Sequence, residues 1–171
     1  MAAPLTPARR RGLPPIVDAG TRVLVLGSFP GVASLAARQY YAHPRNHFWP
    51  ILGAILREPL PELPYAERLA RLRLHGVGLW DVIVACRRKG SSDGAIRDAA
   101  RGDPARIRRV APHVALVCFN GNTAGSAAPE WCAAGYETLV LPSTSPAHTR
   151  PYADKLAAWR ALGRALTHSR P

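Results

Sequence analysis

Arg22-Val23-Leu24-Val25-Leu26-Gly27 is a short, β-branched apolar run that stops at the turn Ser28-Phe29-Pro30-Gly31, and it reads as a buried strand. Two further runs have the same form. Val114-Ala-Leu-Val-Cys-Phe119 is turned into a helix by Asn120-Gly121-Asn122, and Glu137-Thr-Leu-Val-Leu141 ends at Pro142-Ser143-Thr144-Ser145-Pro146. Helical patterns lie between and after them. They cover 34–38, a stretch starting near Asn46 with Phe48, Trp49, Ile51, Leu52, Ile55 and Leu56, then 65–74, 104–110 and 151–166. The last is amphipathic, with Leu156, Trp159, Leu162 and Leu166 on one face. The run Gly76 to Val84 is buried but of undecided type. Strands alternating with helices predict an α/β fold whose mostly parallel sheet is covered on both faces, with no repeat and no second domain.

A chain of 171 residues suits one domain, predicted to span 21–171. Residues 1–20 carry Pro4, Pro7, Pro14 and Pro15 around Arg9, Arg10 and Arg11, so a flexible basic arm without regular structure is expected there. Arg87 to Gly94 reads as a second flexible basic loop. The net charge is +12, and 21 of the 23 basic residues are arginine, Lys89 and Lys155 being the exceptions. Arginine forks match phosphate geometry, so the balance favours a polyanionic partner, although GC-rich coding also enriches arginine. No run reaches the roughly 20 apolar residues of a membrane span, and the first residues lack the apolar stretch of a secretory signal, so a cytoplasmic protein with no membrane partner is expected.

Cys86, Cys118 and Cys132 are an odd number with no C-x-x-C pair, which argues against a disulfide framework, a structural zinc site or a four-cysteine cluster. They are expected to be reduced thiols in or near the core. The absence of a P-loop or carboxylate cluster leaves nucleotide hydrolysis a distant alternative.

In open α/β sheets ligands bind at the carboxyl ends of the strands, so the loops Gly27–Gly31 and Pro142–Pro146 are the site candidates. Gly27 and Gly31 permit close backbone approach to a phosphate or a base carbonyl, though an ordinary strand-to-helix turn has the same composition. The stretch Tyr40-Tyr41-Ala42-His43-Pro44-Arg45-Asn46-His47-Phe48-Trp49 places four aromatics beside an asparagine, and such faces can hold and read a nucleobase. Trp49 is assigned to the core. Asn46 also stands where a helix cap would.

Gly27–Gly31, Tyr40–Trp49 and Leu141–Ala147 together resemble the uracil-DNA glycosylase superfamily, most of all its hypoxanthine-DNA (deoxyinosine) glycosylase branch, over about 22–166. The mismatch-specific uracil glycosylases share the first two motifs. The resemblance implies a three-layer α/β/α fold with a central four-stranded, mostly parallel sheet. It also implies a monofunctional DNA glycosylase of base excision repair, acting as a monomer on DNA containing deaminated bases, with no metal and no cofactor.

Carried over residue by residue, Gly27, Ser28, Phe29, Pro30 and Gly31 face the flipped nucleotide, Phe48 stacks on the base with Tyr41 beside it, and Asn46 is the catalytic amide. Ser143, Thr144 and Ser145 contact phosphates, while His148 and Arg150 contact the backbone or the opposite strand. Two positions depart from the pattern. Phe29 stands where mismatch-specific relatives carry a catalytic asparagine, and His148 stands where this branch is expected to carry asparagine. A rigid connection would equally explain Pro142–Pro146.

Asp81 resembles a family position near the pocket and also fits an element-end cap. Ser92 and Asp93 read as loop residues, with a place in the groove lining as the alternative, and His75, His113 and His168 read as structural or solvated. No lysine nucleophile is evident at the motifs, so hydrolysis without a lyase step is expected. The alternatives to a deoxyinosine enzyme are a uracil or multi-base (uracil and xanthine) glycosylase of the same superfamily, or a non-catalytic nucleic-acid-binding module.

Overall fold

A computed structural model describes residues 7–168. In chain order its elements are β1 (Arg9–Arg11), β2 (Val23–Gly27), α1 (Val32–Ala37), α2 (Phe48–Leu56), α3 (Tyr65–Leu74), β3 (Val77–Asp81), β4 (Ile83–Arg87), β5 (Arg97–Arg101), α4 (Pro104–Val110), β6 (Leu116–Asn120), α5 (Asn122–Gly125), α6 (Ala128–Ala133), β7 (Glu137–Leu141) and α7 (Tyr152–His168). Four parallel strands form the central sheet in the order β3-β2-β6-β7.

Alternation along the strands sends neighbouring side chains to opposite faces, and each face has its own core. Val23, Val25, Leu79 and Cys118 pack with Phe48, Ile51, Leu52, Leu72, Trp159 and Leu162, so α2, α3 and α7 cover one side. Leu24, Leu26, Trp80, Val117 and Phe119 pack with Ile107, Ala124 and Trp131, so α4, α5 and α6 cover the other. The result is the expected three-layer α/β/α arrangement. Among the thiols, Cys86 and Cys118 are buried, the latter pushed up to about 12 chiefly by burial, whereas Cys132 is exposed on α6 rather than near the core.

The undecided run Gly76 to Val84 serves two sheets. It ends β3 at Asp81, passes Val82, whose N–H donates to the Gly27 carbonyl at 2.8 Å, and opens β4 at Ile83. β4 then pairs antiparallel with β1 and β5 in a separate three-stranded sheet. A run that changes sheets after five residues has no single periodicity to read.

The expectation of an arm without regular structure is corrected for the described part. Arg9, Arg10 and Arg11 form β1, in register with Arg87, Cys86 and Ala85. The prolines flank these three residues without interrupting them, and the edge of β4 supplies their backbone partners. Ile16 adds an isolated bridge to Leu79. Residues 1–6 lie outside the described chain.

Gly102 joins β5 to α4 and lays the small sheet on the core, its N–H donating to the Val82 carbonyl at 2.9 Å. A Cβ there would stand 2.5 Å from the Trp80 ring, which is buried and has no room to retreat. Gly102→Ala is therefore expected to lower the unfolding free energy by about 1–3 kcal/mol, the usual cost of overpacking, in a urea titration with unchanged slope.

Candidate active site

The carboxyl ends of the parallel strands converge on one cavity of about 660 Å³. Its lining includes Gly27 from the end of β2, Asp81 from β3, Asn120 from β6 and Ser143 to His148 beyond β7, closed on the remaining side by Tyr40, Tyr41, His43 and Asn46. The volume suits a nucleobase with part of its sugar.

The first motif is held from outside by the stretch read as a flexible loop. Ser28 Oγ donates to both carboxylate oxygens of Asp93 at 2.9 Å. Ser91 Oγ accepts the Val32 N–H at 2.9 Å, the first amide of α1. The buried Arg88 donates to the Pro30 carbonyl and lies over the Phe29 ring, 4.9 Å from its centroid. The loop is thus part of the wall, and Ser92 and Asp93 line the cavity as the sequence suggested. Phe29 and Pro30 are themselves buried, and both border the cavity.

The aromatic stretch divides differently from expectation. Phe48 has no exposed surface, because Tyr41 stacks over it at 3.8 Å while Trp49 and Trp159 meet it edge-on at 5.1 and 6.0 Å. Phe48 as the base-stacking face is therefore corrected. In this conformation it stands behind the pocket, and Tyr41 is the ring of the pair that borders it. Tyr41 takes a left-handed backbone conformation, φ 54°, which turns it back over Phe48. Trp49 is in the core, as assigned.

Asn46 lines the cavity and is also tied to the start of α2: its Oδ1 accepts the Phe48 N–H at 2.9 Å. That bond uses the carbonyl side of the amide, so the NH₂ group is the side left for a ligand.

The loop after β7 is fixed by two buried partners that sequence reasoning did not single out. Asn120 Nδ2 donates to Thr144 Oγ1 and its Oδ1 accepts the Thr144 N–H, both at 2.9 Å. The Thr144 carbonyl accepts the His47 N–H at 3.0 Å. Thr144 is wholly buried with these groups engaged, so its assignment as a phosphate contact is corrected. Lys155, with no exposed surface, donates to the Ser145 carbonyl at 3.2 Å and the His148 carbonyl at 2.8 Å, and desolvation lowers its pKa. A signal for it existed: Lys155 is four residues before Trp159, on the apolar stripe of α7. Ser143 and Ser145 are half-buried at the cavity, His148 is exposed at its edge, and Arg150 is exposed away from the lining.

Asp81 is inside the site, as the resemblance implied, and the alternative reading as a cap is corrected. It lies opposite Gly27 in the register of β2 and β3, and a Cβ at Gly27 would come within 2.5 Å of Asp81 Oδ1. Only glycine leaves room for that carboxyl. Asp81 is 5% exposed, its Oδ2 has no hydrogen-bond partner, and the buried Tyr41 hydroxyl beside it makes no well-formed hydrogen bond. Burial first, and then the charge of Asp93, push the Asp81 carboxyl up to about 7 against the opposing pull of Arg88. Among the described residues no cluster of three or more His, Cys, Asp and Glu side chains could hold a metal ion.

Comparison with known proteins agrees with this geometry. The family model of the uracil DNA glycosylase superfamily matches residues 14–163. A hypoxanthine DNA glycosylase of Methanosarcina barkeri is 40% identical over 88% of this chain and 96% of its own length. One from Methanosarcina acetivorans is 39% identical over 91% and 98%. The solution NMR structure of a candidate uracil DNA glycosylase from Methanosarcina acetivorans superposes with a TM-score of 0.86 at 38% identity, covering 94% of this chain and all of that one.

The buried carboxyl has a consequence for stability. Because its native pKa lies above the ordinary carboxylate value, the folded chain keeps a proton that the unfolded chain has released between about pH 4 and 7, so this contribution to stability is lost as pH rises through that window. Asp81→Asn should remove the penalty, on the order of 4 kcal/mol at most. Thermal melting is expected to give the variant the higher Tm at pH 8, with the gap closing as the pH falls towards 5. A gap independent of pH would mean that Asp81 ionises normally.

Proposed function

We propose that this chain, which belongs to the uracil DNA glycosylase superfamily and is a DNA glycosylase, removes hypoxanthine from deoxyinosine in DNA as a monomer. The observation that carries the reading is the amide of Asn46, held at the cavity with its carbonyl on the Phe48 N–H and its NH₂ free, in a site whose first motif offers Phe29 and no polar side chain at that position. The substrate assignment is supported by the two relatives named hypoxanthine DNA glycosylase, which match nearly all of both chains.

Cleavage of the N-glycosidic bond leaves positive charge on the sugar and negative charge on the departing base, so donors placed at the base lower the barrier. The Asn46 NH₂ is such a donor. A neutral amide is no strong base, and the work is orientation and leaving-group stabilisation rather than proton abstraction. Gly27 to Gly31 lets the backbone close on the flipped nucleotide, Phe29 shapes the purine pocket and Tyr41 supplies the aromatic face. Ser143 and Ser145 contact phosphate, held by Thr144, Asn120 and Lys155, and the exposed His148 and Arg150 reach the flanking DNA.

Oligonucleotides carrying hypoxanthine, uracil or xanthine, followed by alkaline cleavage of abasic sites, test the assignment. Hypoxanthine is expected to be released fastest. A preference for uracil would transfer the chain to its mismatch-specific relatives. Asn46→Ala is expected to slow single-turnover excision by roughly 10²–10³, with DNA affinity nearly unchanged because phosphate contacts supply most of it. The +12 charge further predicts binding that weakens steeply between low and physiological salt. A flat salt response would count against an arginine-lined groove.

A further inference from the structure

We propose that the small sheet of β1, β4 and β5 is a second nucleic-acid surface, which holds backbone phosphates of the duplex DNA flanking the nucleotide in the cavity. It goes beyond the chemistry of the cavity and rests on the glycosylase reading above for its partner, DNA.

Residues 9–11 and 87–101 hold seven arginines and one lysine against two aspartates, so much of the +12 charge falls in 18 residues. The register aligns three of the arginines. Arg9 stands opposite Arg87 and Arg87 opposite Arg97, so their side chains form one row on a shared face of the sheet. Like charges placed directly opposite one another destabilise a sheet. The compensation within the chain is partial. Asp98 pairs with Arg87 at 3.2 Å and Glu130 with Arg101 at 3.3 Å, whereas Arg9, Arg10 and Arg11 are exposed and have no ion-pair partner among the described residues. A row of guanidinium groups that the chain does not neutralise is matched by a row of phosphates, which arginine forks bind bidentately.

The row is continuous with the cavity. β4 opens two residues after Asp81, and the segment beyond it carries Ser91, Ser92 and Asp93 into the cavity wall. Gly12, which follows β1, lies against the first motif, since a Cβ there would stand 3.4 Å from the Phe29 ring. β3 and β7 are the two edges of the central sheet. The small sheet therefore extends the site beyond β3, while the loop carrying Ser143 and Ser145 borders it from the β7 edge. A DNA strand crossing the cavity meets that polar loop on one side and the arginine row on the other.

The test titrates an undamaged duplex against salt with the full chain and with the triple variant Arg9→Gln, Arg10→Gln, Arg11→Gln. Each lost phosphate contact lowers the slope of log affinity against log salt by about 0.9, so a decrease of about 2 to 3 is expected. Single-turnover excision at saturating protein should be nearly unchanged. A control, Arg73→Gln, Arg109→Gln, Arg164→Gln, removes the same charge from exposed positions on α3, α4 and α7 and should keep the slope. Trimming the duplex on one flank of the lesion is expected to cost the wild-type chain the same decrease and the triple variant nothing further. An unchanged slope in the folded variant, an equal decrease in the control, or trimming losses that add to those of the variant would each overturn the proposal. Should the triple variant fail to fold, Arg9→Gln alone is expected to lower the slope by about 1, and an unchanged slope there overturns the proposal. A decrease confined to duplex RNA would overturn it in favour of that partner. A chain that excises no deaminated base yet shows these decreases would sink the glycosylase reading and leave the surface in place.

Discussion

The parallel register that pairs β2 with β3 on one side and β6 on the other ends all three strands at one level, with Gly27 beside Asp81 and Leu26 beside Phe119. Every later feature of the site depends on that level. It gathers Gly27, Asp81 and Asn120 at one edge, where neighbouring loops must supply their partners or leave them exposed. The fit at Gly27 is tight enough that no side chain other than hydrogen can follow Leu26 while the Asp81 carboxyl stays where it is. A backbone register therefore selects the residue that opens the first motif.

From that edge outward, the site is a set of buried and partly buried polar bonds between residues 7 to 65 positions apart in sequence. Asn120 to Thr144, Lys155 to Ser145 and His148, Ser28 to Asp93, and Arg88 to Pro30 each tie a loop to a strand end or to a helix. Buried polar contacts of this kind are costly when half made and rigid when complete. Here they fix the loops that border the cavity, which is the positioning that a reaction relying on orientation requires.

The three strands with uninterrupted apolar runs, the helix 104–110 and the closing amphipathic helix were legible because their periodicity extends over several residues. Gly27–Gly31, Asn46 and the loop after Leu141 were legible as site candidates because composition and strand-end position agreed. What escaped was decided by long-range pairing. β1 and β5 are short strands whose arginine-rich sequence shows no apolar alternation, and β4 is their shared partner. The placement of Phe48 behind Tyr41 depends on one positive φ angle and on Trp159, more than a hundred residues away. Thr144 looked like a solvent-facing hydroxyl because nothing local reveals that Asn120 takes both of its polar groups.

Phe29 ties the chemistry to the rest of this network. An aromatic ring at that position, held under Arg88 at 4.9 Å, can neither hold a water nor hydrogen-bond a base, so the polar work of the pocket has to come from other strand ends. The cavity retains two uncommitted polar groups, the Asn46 NH₂ and the Asp81 Oδ2, on segments that both follow Gly27 in the chain. One of them is a buried acid kept near its ionisation point at a cost to stability, which is how polar groups in functional sites commonly differ from those that only hold a fold together. Asn46 stands on the segment before α2 and Asp81 at the end of β3, so two separate elements bring these groups to one cavity.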